Sequence, residues 1–135
     1  MAHALHNYEG DCRNIHGHSY ILEVCVIGVM KDETSSPTDG FLIDFGEIKA
    51  IVKESVIHKF DHALVLSNQT SGEITSLLAK QYEKLEITNF NPTCENLIRS
   101  FALEISQRLP ESVQLHHLKL HETATAYCEW YASDQ

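Results

Sequence analysis

The densest chemistry in this chain lies in Cys12-Arg13-Asn14-Ile15-His16-Gly17-His18. In an extended backbone, alternate side chains share a face. His16 and His18 therefore point the same way, and Gly17 leaves the backbone room between them. Two imidazoles on one face can share a metal ion, with further ligands from elsewhere in the chain. His3 supplies another imidazole upstream. A thiol near such an ion sits in a positive field that favours its thiolate. These parts suffice for a metal-assisted proton-transfer site. The plainer alternative is a set of surface histidines at the mouth of a strand.

Positioning these residues falls to short strands and amphipathic helices. Met1 to Leu5 reads as the closing part of a strand, and His6 to Asp11 as a polar loop. Residues 19–30, with Tyr20, Ile21, Leu22, Val24, Cys25, Val26, Ile27 and Val29, predict a long strand. Lys31 to Gly40 is rich in breakers and reads as a turn. Asp44 fits a helix N-cap, with Glu47 placed to complete a capping box. Phe45, Ile48, Ile51, Val52 and Val56 then recur at helical spacing to about His58-Lys59. A second, shorter helix is expected over 73–84, while Leu85 to Phe90 is too short to assign. The strongest helical stripe is Leu97, Ile98, Phe101, Ala102, Ile105 and Leu109. It opens at Asn91-Pro92-Thr93, with Pro92 in the first turn or Thr93 as the cap, and Pro110 stops it. Val113 to His121 alternates through Val113, Leu115, His117 and Lys119, and Ala126 to Tyr131 makes a last strand. This order predicts an α+β fold, with an antiparallel sheet and the long helices on one face.

The chain's 135 residues fit one domain able to bury a real core. A net charge of −9 argues against a general nucleic-acid binder, which needs a basic face. It leaves room for a small phosphorylated substrate in a locally cationic pocket. The four cysteines show no CxxC spacing and no secretory signal accompanies them. Reduced thiols in the cytoplasm are the expectation. No apolar run approaches the roughly 18 residues of a spanning helix, so no membrane partner is expected.

The full ordered set is His3, Cys12-x3-His16-Gly17-His18, Asp61-His62, Pro92-Thr93-x-Glu95-Asn96 and Glu122-Thr123. It resembles the 6-pyruvoyltetrahydropterin synthase / 6-carboxytetrahydropterin synthase family over essentially the whole length. The three residues between Cys12 and His16 resemble the bacterial 6-carboxytetrahydropterin synthases of queuosine biosynthesis. The biopterin-pathway enzymes typically have a longer spacer. The resemblance implies a tunnelling fold (T-fold): an antiparallel four-stranded sheet with two main helices on one face, as one pterin synthase-like domain over 1–135. It implies homo-oligomers in which trimers close a barrel and stack into hexamers. It also implies zinc, and a lyase reaction. That reaction takes 7,8-dihydroneopterin triphosphate to 6-carboxy-5,6,7,8-tetrahydropterin with loss of acetaldehyde and triphosphate. The alternatives are triphosphate elimination to a 6-pyruvoyl product, or a non-catalytic zinc- or pterin-binding oligomer.

Carried over residue by residue, His3, His16 and His18 match the zinc ligands. Three neutral imidazoles leave one position open, as catalytic zinc requires. Cys12 matches the catalytic cysteine, a general base, against the alternative of an inert thiol, which is the reading for Cys25 and Cys128. Cys94 stays ambiguous between a buried thiol and a residue whose backbone lines the pterin pocket, and no redox role is expected of it. Asp61 and His62 match the proton-relay pair. Adjacent residues in a straight strand point apart, so a relay needs a bend here or contact between subunits. Glu122 matches the pterin anchor, since one carboxylate can accept from the 2-amino and N3–H edge of the ring. Thr93 and Glu95 read equally as pterin contacts and as plain helix capping. Arg13, Lys31 and Lys119 are candidates for the triphosphate. His58, His116 and His117 read as structural or exposed. The stretch from Ser67 to Phe90 is longer than in compact family members and is placed to rim the site.

Overall fold

A computed structural model describes all residues, Met1–Gln135. Strand β1 (Ala2–His3) leads through a 3-10 turn at Asp11–Arg13 to β2 (His16–Gly17) and β3 (Ile21–Gly28). Helix α1 (Phe45–Val52) runs on through a π-helical segment, Lys53–Ile57, into the short α2 (His58–Phe60). Then come β4 (Leu64–Ser67), α3 (Gly72–Gln81), β5 (Leu85–Thr88), α4 (Cys94–Ser106), β6 (Val113–His121) and β7 (Tyr127–Tyr131).

The α+β class holds, but the strands divide between two sheets. One is antiparallel in the order β3-β6-β7, and the other has the order β2-β1-β4-β5. In the second sheet β1 pairs antiparallel with β2, whereas β1–β4 and β4–β5 are parallel. The physical reason is legible in β4. Its residues, three apolar ones and Ser67, are all buried, as in a strand covered on both faces. Helix α3 is the crossover that parallel pairing requires. Leu85 to Thr88, left unassigned from sequence, is the strand this crossover delivers.

Local caps set the helix starts. Asp44 Oδ1 accepts the Gly46 N–H at 2.6 Å, and Glu47 makes no reciprocal bond, so the capping box is half formed. Thr93 Oγ1 accepts the Asn96 N–H at 3.3 Å and caps α4. Pro92 therefore lies ahead of the cap and not in the first turn. Helix α4 buries Leu97, Ile98, Phe101 and Ile105 against Leu115, Leu118 and Leu120 of β6. Val56 and Phe60 of the other helical run complete this core, with the Phe60 and Phe101 rings edge-on at 5.0 Å.

One correction concerns β6. The alternation through Val113, Leu115, His117 and Lys119 does not hold to the end. Cys25 pairs with His117, but the next residue, Val26, pairs with Leu115. His116 is an extra residue in the ladder, a β-bulge, and it reverses which side chains face inward. Val113 and Leu115 are buried before it, Leu118 and Leu120 after it. His117, Lys119 and His121 turn to the opposite face. There His117 stacks on Tyr131 at 4.4 Å, and Lys119 lies 3.8 Å over the Tyr127 ring.

Candidate metal and substrate site

Strands β1 and β2 place His3 directly opposite His16. His18, two residues beyond His16, returns to the same side. The three rings lie with centroids 4.5, 5.5 and 5.1 Å apart, and one ligand atom from each falls within 4.8 Å of the others. Gly17 eases this approach, since a Cβ there would crowd the Met1 carbonyl oxygen at 3.2 Å. His3 is only 2% exposed. Its Nδ1 lies 2.7 Å from the Pro92 carbonyl oxygen, and His16 Nδ1 lies 2.8 Å from that of Asn14. A carbonyl only accepts, so each Nδ1 carries the proton and each Nε2 keeps its lone pair. His3 Nε2 is buried with no hydrogen-bond partner. Burial lowers the His3 pKa, the Pro92 bond partly offsets this, and the neighbouring His16 lowers it further. The three imidazoles could hold a metal ion: His3 offers an orphaned Nε2, and backbone carbonyls behind His3 and His16 orient those two rings.

Glu122 lies against this cluster, with Oε1 3.7 Å from His3 Nε2 and 3.9 Å from His18 Nε2. The same oxygen accepts a 2.7 Å hydrogen bond from the Tyr20 hydroxyl. Burial and this bond to Glu122 push the Tyr20 phenol far above its ordinary range, so it remains a neutral donor. Tyr20 is a site residue that motif reading missed. The signal was present, because Tyr20 continues the alternating row of His16 and His18. Glu122 is held at the head of a tight turn, its N–H donating to the Ala126 carbonyl at 3.0 Å.

A cavity of about 360 Å³ opens beside the cluster, lined by His18, Tyr20, Asp61 and His62 on its polar side and by Leu22, Val56, Phe60 and Phe101 on its apolar side. The bend that a relay needs is present. His62 adopts a left-handed backbone with φ +59°, and its Nδ1 lies 3.1 Å from Asp61 Oδ1. The His62 side chain is 91% exposed. Cys12 sits half-buried in its own 3-10 turn and is not among the residues lining this cavity. Thr93 spends its hydroxyl on the α4 cap, and Glu95 lies exposed on the first turn. Of the candidate cations, Lys119 is taken up by Tyr127 and Glu129, while Lys31 and Arg13 are exposed. His58 pairs with Glu54 on the surface. The 67–90 stretch contributes Tyr82, Glu83 and Lys84 to a groove that His62 also borders.

The sequence profile of the 6-pyruvoyl tetrahydropterin synthase family matches residues 1–133. The chain belongs to this family. Within it, a 6-carboxy-5,6,7,8-tetrahydropterin synthase of Haemophilus influenzae is 32% identical over 132 residues, covering 96% of this chain and 91% of that protein. A protein of the same name from Aquifex aeolicus is 33% identical over 127 residues, covering 88% and 75%. The fold is likewise that of the family. The 6-pyruvoyl tetrahydropterin synthase of Caenorhabditis elegans superposes with a TM-score of 0.64 over 97% of this chain and 87% of that one, at 20% identity. In this member of the 6-pyruvoyl tetrahydropterin synthase family, the three-imidazole cluster can hold a metal ion. The Tyr20–Glu122 pair lies beside it, with Tyr20 lining the cavity and Glu122 set behind the lining residues. No helix is long and apolar enough to cross a membrane.

Proposed function

We propose that this chain is a zinc-dependent lyase. It converts 7,8-dihydroneopterin triphosphate and water to 6-carboxy-5,6,7,8-tetrahydropterin, acetaldehyde and triphosphate, a step of queuosine-type 7-deazapurine biosynthesis in the cytoplasm. The observation that carries the reading is the buried, unpartnered His3 Nε2 facing two further imidazoles, in a chain whose bacterial relatives bear that synthase name. Three neutral imidazoles with an open side suit a catalytic zinc better than a structural one. When bound, the ion supplies Lewis acidity toward substrate oxygens.

The chain's own residues do the rest. Glu122 accepts from the 2-amino and N3–H edge of the pterin, and Tyr20 fixes its carboxylate through Oε1. Thr93 and Glu95 flank the ring from the start of α4. Cys12 takes the proton from a side-chain carbon, and the Asp61–His62 pair moves it onward, as imidazole can near neutral pH. Cys12 does not line the cavity that Asp61 and His62 border, so in this reading a neighbouring copy completes the relay. Support for a homo-oligomer, a trimer or a hexamer, comes from the two free edges of the antiparallel sheet. Strands β3 and β7 there expose Ile21, Ile27, Tyr127 and Tyr131.

The test is mass spectrometry of the products formed by zinc-loaded protein from 7,8-dihydroneopterin triphosphate. The expected products are 6-carboxytetrahydropterin and acetaldehyde. A 6-pyruvoyl product would keep the site and replace the reaction by triphosphate elimination. No turnover with stoichiometric zinc would leave a binding role. Cys12→Ala is expected to abolish turnover with zinc retained.

A further inference from the structure

Cys94 and Cys128 are far apart in sequence and meet sulfur to sulfur. Cys94 is the first residue of α4, and Cys128 lies on β7 opposite Leu120. Their Sγ atoms are 2.9 Å apart, within hydrogen-bonding range and less than an ångström beyond the roughly 2.0 Å of a covalent disulfide. Cys94 Sγ also lies 3.5 Å from the Leu120 carbonyl oxygen. That oxygen only accepts, so the Cys94 S–H turns toward it and the Cys128 S–H turns toward the Cys94 sulfur. The bond from Cys128 lowers the Cys94 thiol below its ordinary range against the opposing effect of burial, and the same contact raises Cys128. The N-terminus of a 13-residue helix adds a favourable field for a thiolate at Cys94. Cys94 is buried and Cys128 half-buried, so the two sulfurs are held against one another at the start of α4. The other two thiols have no such neighbour: Cys25 is exposed on β3 and Cys12 is in the Asp11–Arg13 turn.

We propose that Cys94 and Cys128 form a redox-active dithiol that a hydroperoxide closes to a disulfide, tying the start of α4 to β7. In the first step the Cys94 thiolate attacks one oxygen of hydrogen peroxide. The O–O bond breaks, a proton is taken up, and sulfenic acid and one water result. In the second step the Cys128 sulfur displaces that hydroxyl, its own proton leaving in a second water. Overall two thiols lose two hydrogens and one peroxide becomes two waters. A small dithiol reverses the change. The bond forms behind the Tyr20–Glu122 pair. Leu120, which faces Cys128 and accepts from Cys94, is two residues from Glu122, and the charge of both sulfurs bears on the Tyr20 hydroxyl. The inference rests on the two sulfurs alone and stands whatever ligand the neighbouring cavity takes.

The experiment treats the folded full-length chain with stoichiometric hydrogen peroxide. Remaining thiols are then alkylated under denaturing conditions, and the digest is mapped by mass spectrometry. The expected result is a peptide pair joined through Cys94 and Cys128, an intact mass lower by two hydrogens, and restoration of both thiols by dithiothreitol. Cys94→Ser and Cys128→Ser should each lose the joined pair. Two results would overturn the proposal: both cysteines still alkylated at a dose that oxidises Cys25, or both carried singly to sulfinic or sulfonic acid. The wild-type map decides between these outcomes even if a serine variant does not fold.

Discussion

Replacing Tyr20 by phenylalanine removes one hydroxyl and leaves its ring packed beside His3 and His18. The lost bond is 2.7 Å long and ends on a carboxylate. Hydrogen bonds to charged groups contribute about 1.5–3 kcal/mol. The Glu122 side chain is 25% exposed, so water can replace part of that bond, and the lower end of the range applies. A cycle of Tyr20→Phe, Glu122→Ala and the double variant, followed by urea unfolding of metal-free protein, should return a coupling of about 1.5 kcal/mol. Glutamine would be a poor second substitution, because its amide oxygen still accepts from Tyr20. The slope of each urea transition should stay constant, so that midpoint shifts report stability alone. If the two single effects simply add, to within about 0.5 kcal/mol, Tyr20 does not hold Glu122. The assignment of Tyr20 as the residue that orients the carboxylate then fails.

Three further outcomes follow from the same geometry. His18→Ala should eliminate stoichiometric metal binding, measured by metal analysis after dialysis, with the far-UV circular dichroism unchanged, because His18 lies outside the regular strands. Phe101→Ala empties the centre of the core beside Phe60 and should cost about 3–5 kcal/mol in urea unfolding. Tyr20 keeps its proton in the fold while the unfolded chain releases it near the ordinary 10.0. Stability from this group is therefore fully present below that pH and is lost as the pH rises past it. Urea melts through the alkaline range should show a shallower loss for Tyr20→Phe than for the parent chain.

Helix α4 was readable because it obeys one period along its length. The α4 stripe at Leu97, Ile98, Phe101 and Ile105 is buried as its helical spacing required. The row His16, His18 converges with His3 because alternate residues of an extended chain share a face. The mixed sheet was less legible. β1 and β2 have two residues each, too short to show any period, and the three apolar residues that open β4 signal burial without direction. The half-formed capping box at Asp44 shows the limit of motif reading: the residue types were right and only one of the two bonds forms. Cys94 and Cys128 could not have been paired from sequence, since contact between a helix start and a strand depends on tertiary packing that spacing does not encode.

The extra residue at His116 gives β6 two reading frames. Before it, odd-numbered residues belong to the core; after it, even-numbered ones do. Glu122 falls in the second frame, beyond Leu118 and Leu120, and that is why its carboxylate arrives among His3, His18 and Tyr20. Closing the ladder in regular register with His116 retained would change neither the core composition nor any site residue. It would nonetheless exchange Leu118 and Leu120 for His117, Lys119 and His121, and carry Glu122 to the far side of the sheet. The site is thus set by a count of residues as much as by their identities. A redesign that kept all nine residues of the strand but paired them without the bulge would carry Glu122 away from the site, whereas one that also removed His116 would leave it in place.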